Sequence, residues 1–315
     1  MNPLTGLYAA ATALRNKSYD RGMLPSRRLE QPVVSVGNLS VGGSGKTPFV
    51  IALGSLLQSR GIPFDVLTRG YGRGTRGVMV VEKDGTAADF GDEPLLIARR
   101  LGVPVIVGES RYDAGRTAER KFHSHLHILD DGFQHRSLAR DFDIVLLTER
   151  DFADQLLPSG RLREPLASLA RADAVVLPTA LAPGHSLSAL RKPIWRIERN
   201  LVLPNPPISP IVFCGIARPQ QFFAQVRSAG ITPAAEVAFR DHHAYDSGDI
   251  ERLLAMRHRL SSGGFLTTEK DAINLCRFLP DLNPLAAAVL TVTLDHPAAV
   301  VDAILARINK PGPRS

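Results

Sequence analysis

Apolar residues along the chain follow two rhythms. Short aliphatic or β-branched runs at 32–36, 63–68, 78–82, 103–107, 125–131, 143–147 and 174–177 predict strands. Between them, an amphipathic stretch at 49–58 and an apolar set carried by Leu95, Leu96, Ile97 and Leu101 predict helices. The second of these opens on Asp92, Glu93 and Pro94, residue types suited to a first turn. A helix of mixed charge follows residues 108–111. Strands alternating with helices at this rhythm predict an α/β fold, a mostly parallel sheet covered by helices on both faces.

The pattern breaks at 203–210, where four prolines fall in eight residues, and a semi-rigid linker at 204–210 is expected. Beyond it, strands at 211–215, 236–239, 264–267 and 288–294 and helices at 219–229, 248–260 and 297–308 predict a smaller α/β domain over 211–309. Residues 310–315 are expected to be a disordered tail. At the other end, Leu4, Leu7, Tyr8, Ala11 and Leu14 share one helical face, and Arg15, Lys17, Arg21, Arg27 and Arg28 follow. This segment, 1–28, reads either as a helix lying in a membrane interface or as one packed on the protein's own core with a solvated basic end.

The most informative stretch is GNLSVGGSGKTP at 37–48, between the first strand and the first sheet-covering helix. It has the form of a phosphate-binding loop: glycines let successive N–H groups turn inward, Lys46 reaches the outer phosphates and Thr47 can ligate magnesium. The usual pattern asks for glycine at the position held by Ser40. A second glycine-rich turn, with Arg69, Tyr71 and Arg73, follows the strand at 63–68, where open α/β sheets bind ligands. Asp130 and Asp131 end another strand, the place where a P-loop enzyme keeps its magnesium-holding carboxylate. Asp92 could be a general base or a helix cap, and His242 its partner or a residue of a surface turn. His123, His125 and His127 lie on one strand face and are expected at the surface.

Bulk composition adds boundaries. The 315 residues are 44% hydrophobic and 22% charged, which suits one large or two modest globular domains. Two distant cysteines, Cys214 and Cys276, give no disulfide framework. The net charge of +7 implies an anionic partner. No run of eighteen apolar residues occurs, and the N-terminus lacks the basic start of a signal peptide, so a cytoplasmic protein is expected.

Assembled in order, these residues resemble the tetraacyldisaccharide 4′-kinase (lipid A 4′-kinase) family, Gram-negative enzymes that phosphorylate a membrane-embedded glycolipid. The resemblance spans the loop at 37–48, RGYG at 69–72, GDEP at 91–94, DDGFQH at 130–135, LRE at 162–164, Asp241-His242 and TEKDA at 268–272. In that family Ser or Thr is normal where Ser40 stands. The resemblance implies a P-loop kinase domain over 29–203 and ATP binding by Ser40, Val41, Gly42, Gly43, Ser44, Gly45, Lys46 and Thr47. It implies Mg2+ held with Thr47, Asp130, Asp131 and Glu164, and an Asp92–His242 dyad that activates the acceptor, with Lys46 also catalytic. Arg69, Tyr71, Arg111, Gln134, His135 and Arg163 would support phosphate or substrate. The implied acceptor is an acylated disaccharide phosphate, a lipid A precursor, met at the cytoplasmic face of the inner membrane by a peripheral enzyme docked through its N-terminal helix. No nucleic acid or obligate protein partner is expected. A nucleotide-driven switch ATPase is disfavoured by Val41, which stands where such proteins carry their signature lysine.

Overall fold

The computed structural model describes residues 2–181 and 191–309; the tail expected at 310–315 lies outside them. In chain order the first half holds α1 (Pro3–Asp20), β1 (Val33–Asn38), α2 (Lys46–Ser59), β2 (Phe64–Thr68), β3 (Met79–Val80) and α3 (Ala87–Phe90). It continues through α4 (Asp92–Leu101), β4 (Val105–Val107), α5 (Arg111–Lys121), β5 (Leu126–Asp130), β6 (Phe142–Leu146), β7 (Ala174–Pro178) and β8 (Ile194–Val202). The second half holds β9 (Ile211–Cys214), α6 (Pro219–Ser228), β10 (Ala235–Ala238), α7 (Ser247–Arg259), β11 (Phe265–Thr268), α8 (Glu269–Leu275), β12 (Leu285–Leu294) and α9 (Pro297–Ile308).

The strands form one twelve-stranded sheet in the order β10-β9-β11-β12-β8-β7-β6-β1-β5-β2-β4-β3. Among the described residues, only β3–β4 and β8–β12 pair antiparallel as strands. Every residue of β1, β2, β5 and β6 is buried, which a parallel strand requires when helices cover both its faces. One face packs Val34, Val36 and Ile128 against Phe49, Leu53 and Leu95; the other packs Val33, Leu67 and Leu129 against Ala114 and Ala118.

The long strand β12 belongs to both halves. Leu285 to Ala288 pair with β11, and Val289 to Leu294 pair with β8. The chain then returns to the first half through α9, whose Val300, Val301 and Ile304 are buried in the core that holds Val50 and Leu53. Each such burial contributes about 1.5–3 kcal/mol relative to exposure, so the C-terminal helix fastens the two halves together.

Two sequence expectations need correction. No strand is expected at 194–202, yet β8 occupies it. Burial there alternates, with Trp195 and Ile197 inside and Glu198 and Asn200 outside, so β8 lacks the continuous apolar run that marks its neighbours. Of the three histidines expected at the surface, His123 and His125 are exposed, but His127 is fully enclosed. The parallel register sets Asp65 on β2 beside it, and His127 Nδ1 lies 2.8 Å from Asp65 Oδ1. A buried polar side chain is tolerated when a neighbour pairs with it, and here the neighbour comes from another strand.

Helix α1 lies against the first half by its polar face. Thr5 Oγ1 is 2.6 Å from Ser159 Oγ, the Tyr8 hydroxyl donates to the Arg163 carbonyl (3.0 Å), and Asn16 Nδ2 donates to Glu164 Oε2 (2.7 Å). Leu4, Leu7 and Leu14 point outward and are 61%, 69% and 68% exposed. Leu4, Leu7, Ala11 and Leu14 of the apolar stripe are therefore not packed on the protein's own core, while Tyr8 turns inward to Arg163.

Candidate active site

Strand β1 runs into the loop at its carboxyl end, and α2 begins directly after it with Lys46 and Thr47. Gly42 and Gly45 take the left-handed conformation, φ 81° and 80°, which a β-carbon disfavours. Gly45 is doubly constrained, since a β-carbon there would fall 2.8 Å from the guanidinium of Arg199 on β8. Ser40 does not take that conformation. It bridges to Leu162, and the Val41 N–H donates to the Arg161 carbonyl (2.8 Å), so backbone pairing holds this position without a glycine. Lys46 Nζ donates to Asn38 Oδ1 (3.0 Å) and lies 3.3 Å from Asp131 Oδ1. Ser44 Oγ is buried without a partner among the described residues.

The β1–β5 register places Asp130 beside Val36, next to the start of the loop. Burial raises the Asp130 carboxyl to about 7, helped by the negative charges of Glu93 and Asp131 and opposed by Lys46. Thr68 Oγ1 donates to its Oδ2 (3.2 Å), while Oδ1 is buried with no partner. Asp131 has a positive φ of 52° and turns its side chain to the guanidinium of Arg163, with two bonds of 3.0 and 2.8 Å. Burial opposes its ionisation, but Lys46 and Arg163 hold it well below the usual carboxylate range. Arg163 also bonds Asn38 Oδ1, so the loop lysine, Asn38, Asp131 and Arg163 form one closed network. Glu164 is buried; its Oε2 accepts from Asn16 and from Arg171 (2.6 Å), and its Oε1 has no partner.

These orphaned oxygens test the fit of magnesium. A hard cation takes oxygen ligands, and Ser44 Oγ, Asp130 Oδ1 and Glu164 Oε1 are buried oxygens with no hydrogen-bond partner among the described residues. In chemical type these oxygens suit Mg2+, and Thr47 is buried at the start of α2, but among the described residues no three acidic or histidine side chains are gathered into a ready-made metal site. Around it, Gln134 Nε2 donates to the Asn38 carbonyl (3.0 Å) and leaves Oε1 free. Arg111 is buried with its NH1 on the carbonyls of Gly108 and Glu109, and burial lowers it only to about 10, so it stays charged. Burial and the charges of Arg111, Arg140, Arg15 and Arg69 push His135 down to about 4, so its imidazole is neutral at neutral pH. Arg69 and Tyr71 are exposed at the end of β2.

The second part of the site is built across both halves. Gly91, φ 89°, packs its Cα against the Tyr71 carbonyl and launches α4, whose first residue is Asp92. Asp92 Oδ1 accepts from the Glu93 N–H (2.8 Å), and Oδ2 faces His242 Nδ1 at 2.9 Å. His242 sits at φ 55° with its N–H on the Gly215 carbonyl (3.0 Å), and the Tyr71 ring lies 5.3 Å from its imidazole. Burial works against the Asp92 anion, but His242 and Lys270 hold its pKa below the ordinary value. The Asp92 hydrogen bond raises His242, against burial and the Lys270 charge. The pair is thus neither a helix cap alone nor a surface turn.

Several residues here escaped the sequence reading. Asn274 Nδ2 (3.3 Å) and Lys270 Nζ (3.7 Å) both approach Asp92 Oδ2, and both come from α8. Lys270 lies inside the TEKDA run at 268–272, the one signal that could have singled it out. Asn38 closes the loop network, Arg171 and Asn16 hold Glu164, and Arg199 donates to the Ser44 carbonyl from the unexpected strand β8.

A glycine loop feeding a helix, a buried carboxylate on the adjacent strand, and an acid–histidine pair carried across from the second half define a P-loop kinase. The family model described as Tetraacyldisaccharide-1-P 4′-kinase matches residues 1–309. The chain belongs to that family. A tetraacyldisaccharide 4′-kinase of Koribacter versatilis is 47% identical over 98% of this chain and 99% of its own. That of Geobacter metallireducens is 37% identical over 94% of each. The crystal structure of LpxK from Aquifex aeolicus in complex with ATP is 34% identical, with a TM-score of 0.77 over 97% of both chains.

Proposed function

We propose that this kinase transfers the γ-phosphoryl group of ATP to the 4′-hydroxyl of a tetraacyldisaccharide 1-phosphate, giving lipid IVA for lipid A synthesis. The observation that carries the reading is the Asp92–His242 pair, whose carboxylate and imidazole lie 2.9 Å apart. The loop N–H groups, Ser44 and Lys46 bind the phosphates; Lys46 is already charge-paired to Asp131 and exchanges that contact for phosphate. Thr47, Asp130 and Glu164 would hold magnesium, and Asp131 anchors Lys46 and Arg163. A magnesium ion held there would supply charge neutralisation at the phosphate oxygens. Asp92 takes the acceptor proton, kept anionic by His242 and Lys270. Arg69, Tyr71, Arg111, Gln134 and His135 line the approach of the sugar and its phosphate.

Among the described residues no helix is long and apolar enough to cross a membrane. The acceptor nevertheless carries acyl chains, and the outward Leu4, Leu7 and Leu14 of α1 give an apolar face for a membrane surface beside basic residues that attract anionic lipid. The reading places the enzyme peripherally on the cytoplasmic face of the inner membrane. Incubation with ATP, magnesium and tetraacyldisaccharide 1-phosphate, read by mass spectrometry, tests the assignment. A 4′-phosphorylated lipid is expected; ATP turned over to free phosphate with no lipid product would overturn it.

A further inference from the structure

His242 has two ring nitrogens, and different groups occupy them. Nδ1 faces Asp92 Oδ2 at 2.9 Å. Nε2 faces Lys270 Nζ at 3.3 Å. A lysine ammonium has donors and no acceptor, so Nε2 must accept, and the single imidazole proton must sit on Nδ1, pointing at Asp92. A doubly protonated ring would set an N–H against an ammonium.

Lys270 is held in place to do this. Its Nζ donates to Glu93 Oε1 (3.2 Å) and lies 3.7 Å from Asp92 Oδ2. It is charged: burial opposes the ammonium, but Glu93, Asp92 and Asp241 raise it above its ordinary value. The charged and titratable groups around His242 are Asp92 and Glu93 from α4, Lys270 from α8, Tyr71 from the turn after β2 and Asp241 from its own loop. The neighbouring His243 turns away, with Nε2 on Asp249 (2.7 Å).

We propose that Lys270 is a positioning residue that fixes His242 as the neutral imidazole protonated on Nδ1, so that Asp92 stays the basic member of the pair. This rests on the reading of Asp92 as the base. Asp92 pulls protons towards the histidine, and the ammonium on the far nitrogen opposes the second one. Asp92 and Glu93 belong to the first half of the chain, whereas His242, Lys270 and Asn274 belong to the second. The base is therefore assembled only when the halves meet.

The test uses the full-length protein and three substitutions, Lys270→Met, Lys270→Arg and Asp92→Asn, with kcat and KM followed against pH and the His242 ring nitrogens observed by 15N NMR. In the unsubstituted protein at neutral pH, the expected pattern is a protonated Nδ1 and a bare Nε2. In Lys270→Met the acid limb of kcat should move up by about one pH unit as the neighbouring charge disappears, and kcat should fall by about 10- to 100-fold. KM for ATP should stay within about twofold, since the loop is untouched. Lys270→Arg should restore much of the acid limb. A protonated Nε2 in the unsubstituted protein would overturn the proposal, whatever the variants do. So would an unshifted acid limb in Lys270→Met, which would leave Lys270 a structural role only. If Asp92→Asn keeps its turnover, the base reading itself fails; if it is inactive while Lys270→Met has the original profile, only the role of Lys270 fails.

Discussion

Replacing Asp92 by Asn keeps shape and removes charge, and its cost can be worked from contacts. One side-chain oxygen accepts from the Glu93 N–H and the other faces His242 Nδ1, with Asn274 Nδ2 beside it. An amide offers only one oxygen. Whichever way it turns, its NH2 meets a donor, Glu93 N–H on one side or the histidine and Asn274 on the other. Leaving that contact unmade in a buried place costs about 1–3 kcal/mol of stability. Lys270 also loses one of its two carboxylate neighbours. The kinetic cost is separate: a positioned general base contributes about 10²–10⁴ in rate, or about 3–5 kcal/mol at 1.36 kcal/mol per decade. The loop lies on other elements, so the loss should appear in kcat with KM for ATP nearly unchanged. Steady-state assays at saturating lipid, paired with thermal melting, separate the two costs. Turnover within about threefold of the original would refute the assignment of Asp92 as the base.

Lys46→Ala should raise KM for ATP and lower kcat by at least about 100-fold, because one group serves both ground and transition states; isothermal titration with a nucleotide and the kinase assay measure each. Glu164→Gln keeps the Asn16 and Arg171 contacts of Oε2 possible but weakens the free Oε1 as a ligand, so half-maximal activity should need about tenfold more magnesium, read by metal titration at saturating ATP. His135 sits well below its ordinary value, so the folded state prefers its neutral form. Stability from this group is whole above about pH 6.5 and is lost as pH falls towards about 4, and His135→Gln should flatten the melting temperature across that window. Leu7→Asp combined with Leu14→Asp should weaken liposome binding while leaving the melting temperature within about 2 °C, since both side chains are exposed; unchanged binding would place the membrane contact elsewhere.

The sequence shows the site unevenly, and the reason is locality. The loop is legible because its chemistry sits within a few consecutive residues, and Asp130 because strand ends and loops share one edge of a parallel sheet. Asp92 and His242 carry no such mark, and resemblance to the kinase family alone singles them out. Their meeting depends on how the second half docks. Lys270 and Asn274 are harder still, for Asn274 meets Asp92 from the other half and Lys270 stands between Asp92 and Glu93 of the first half and His242 of its own. His127 misleads for a related reason, since its compensation is Asp65 on a neighbouring strand. Strand β8 is obscured by its half-wet face, and Arg199 with it.

The junction between the halves has a mechanical consequence. It is a two-stranded antiparallel ribbon, β8 with β12, flanked on each side by a broader parallel array. A ribbon of two strands twists more readily than a wide sheet, so compliance concentrates there. Opening the site in this way would bend a hydrogen-bonded spring and would not release a slack tether. Relative motion would then follow one soft twisting coordinate, with the ladder from Ile197 to Val202 setting its stiffness. Arg199 lies on that ladder and also touches the phosphate loop, so a bend in the spring would be felt at the nucleotide without any intermediate part.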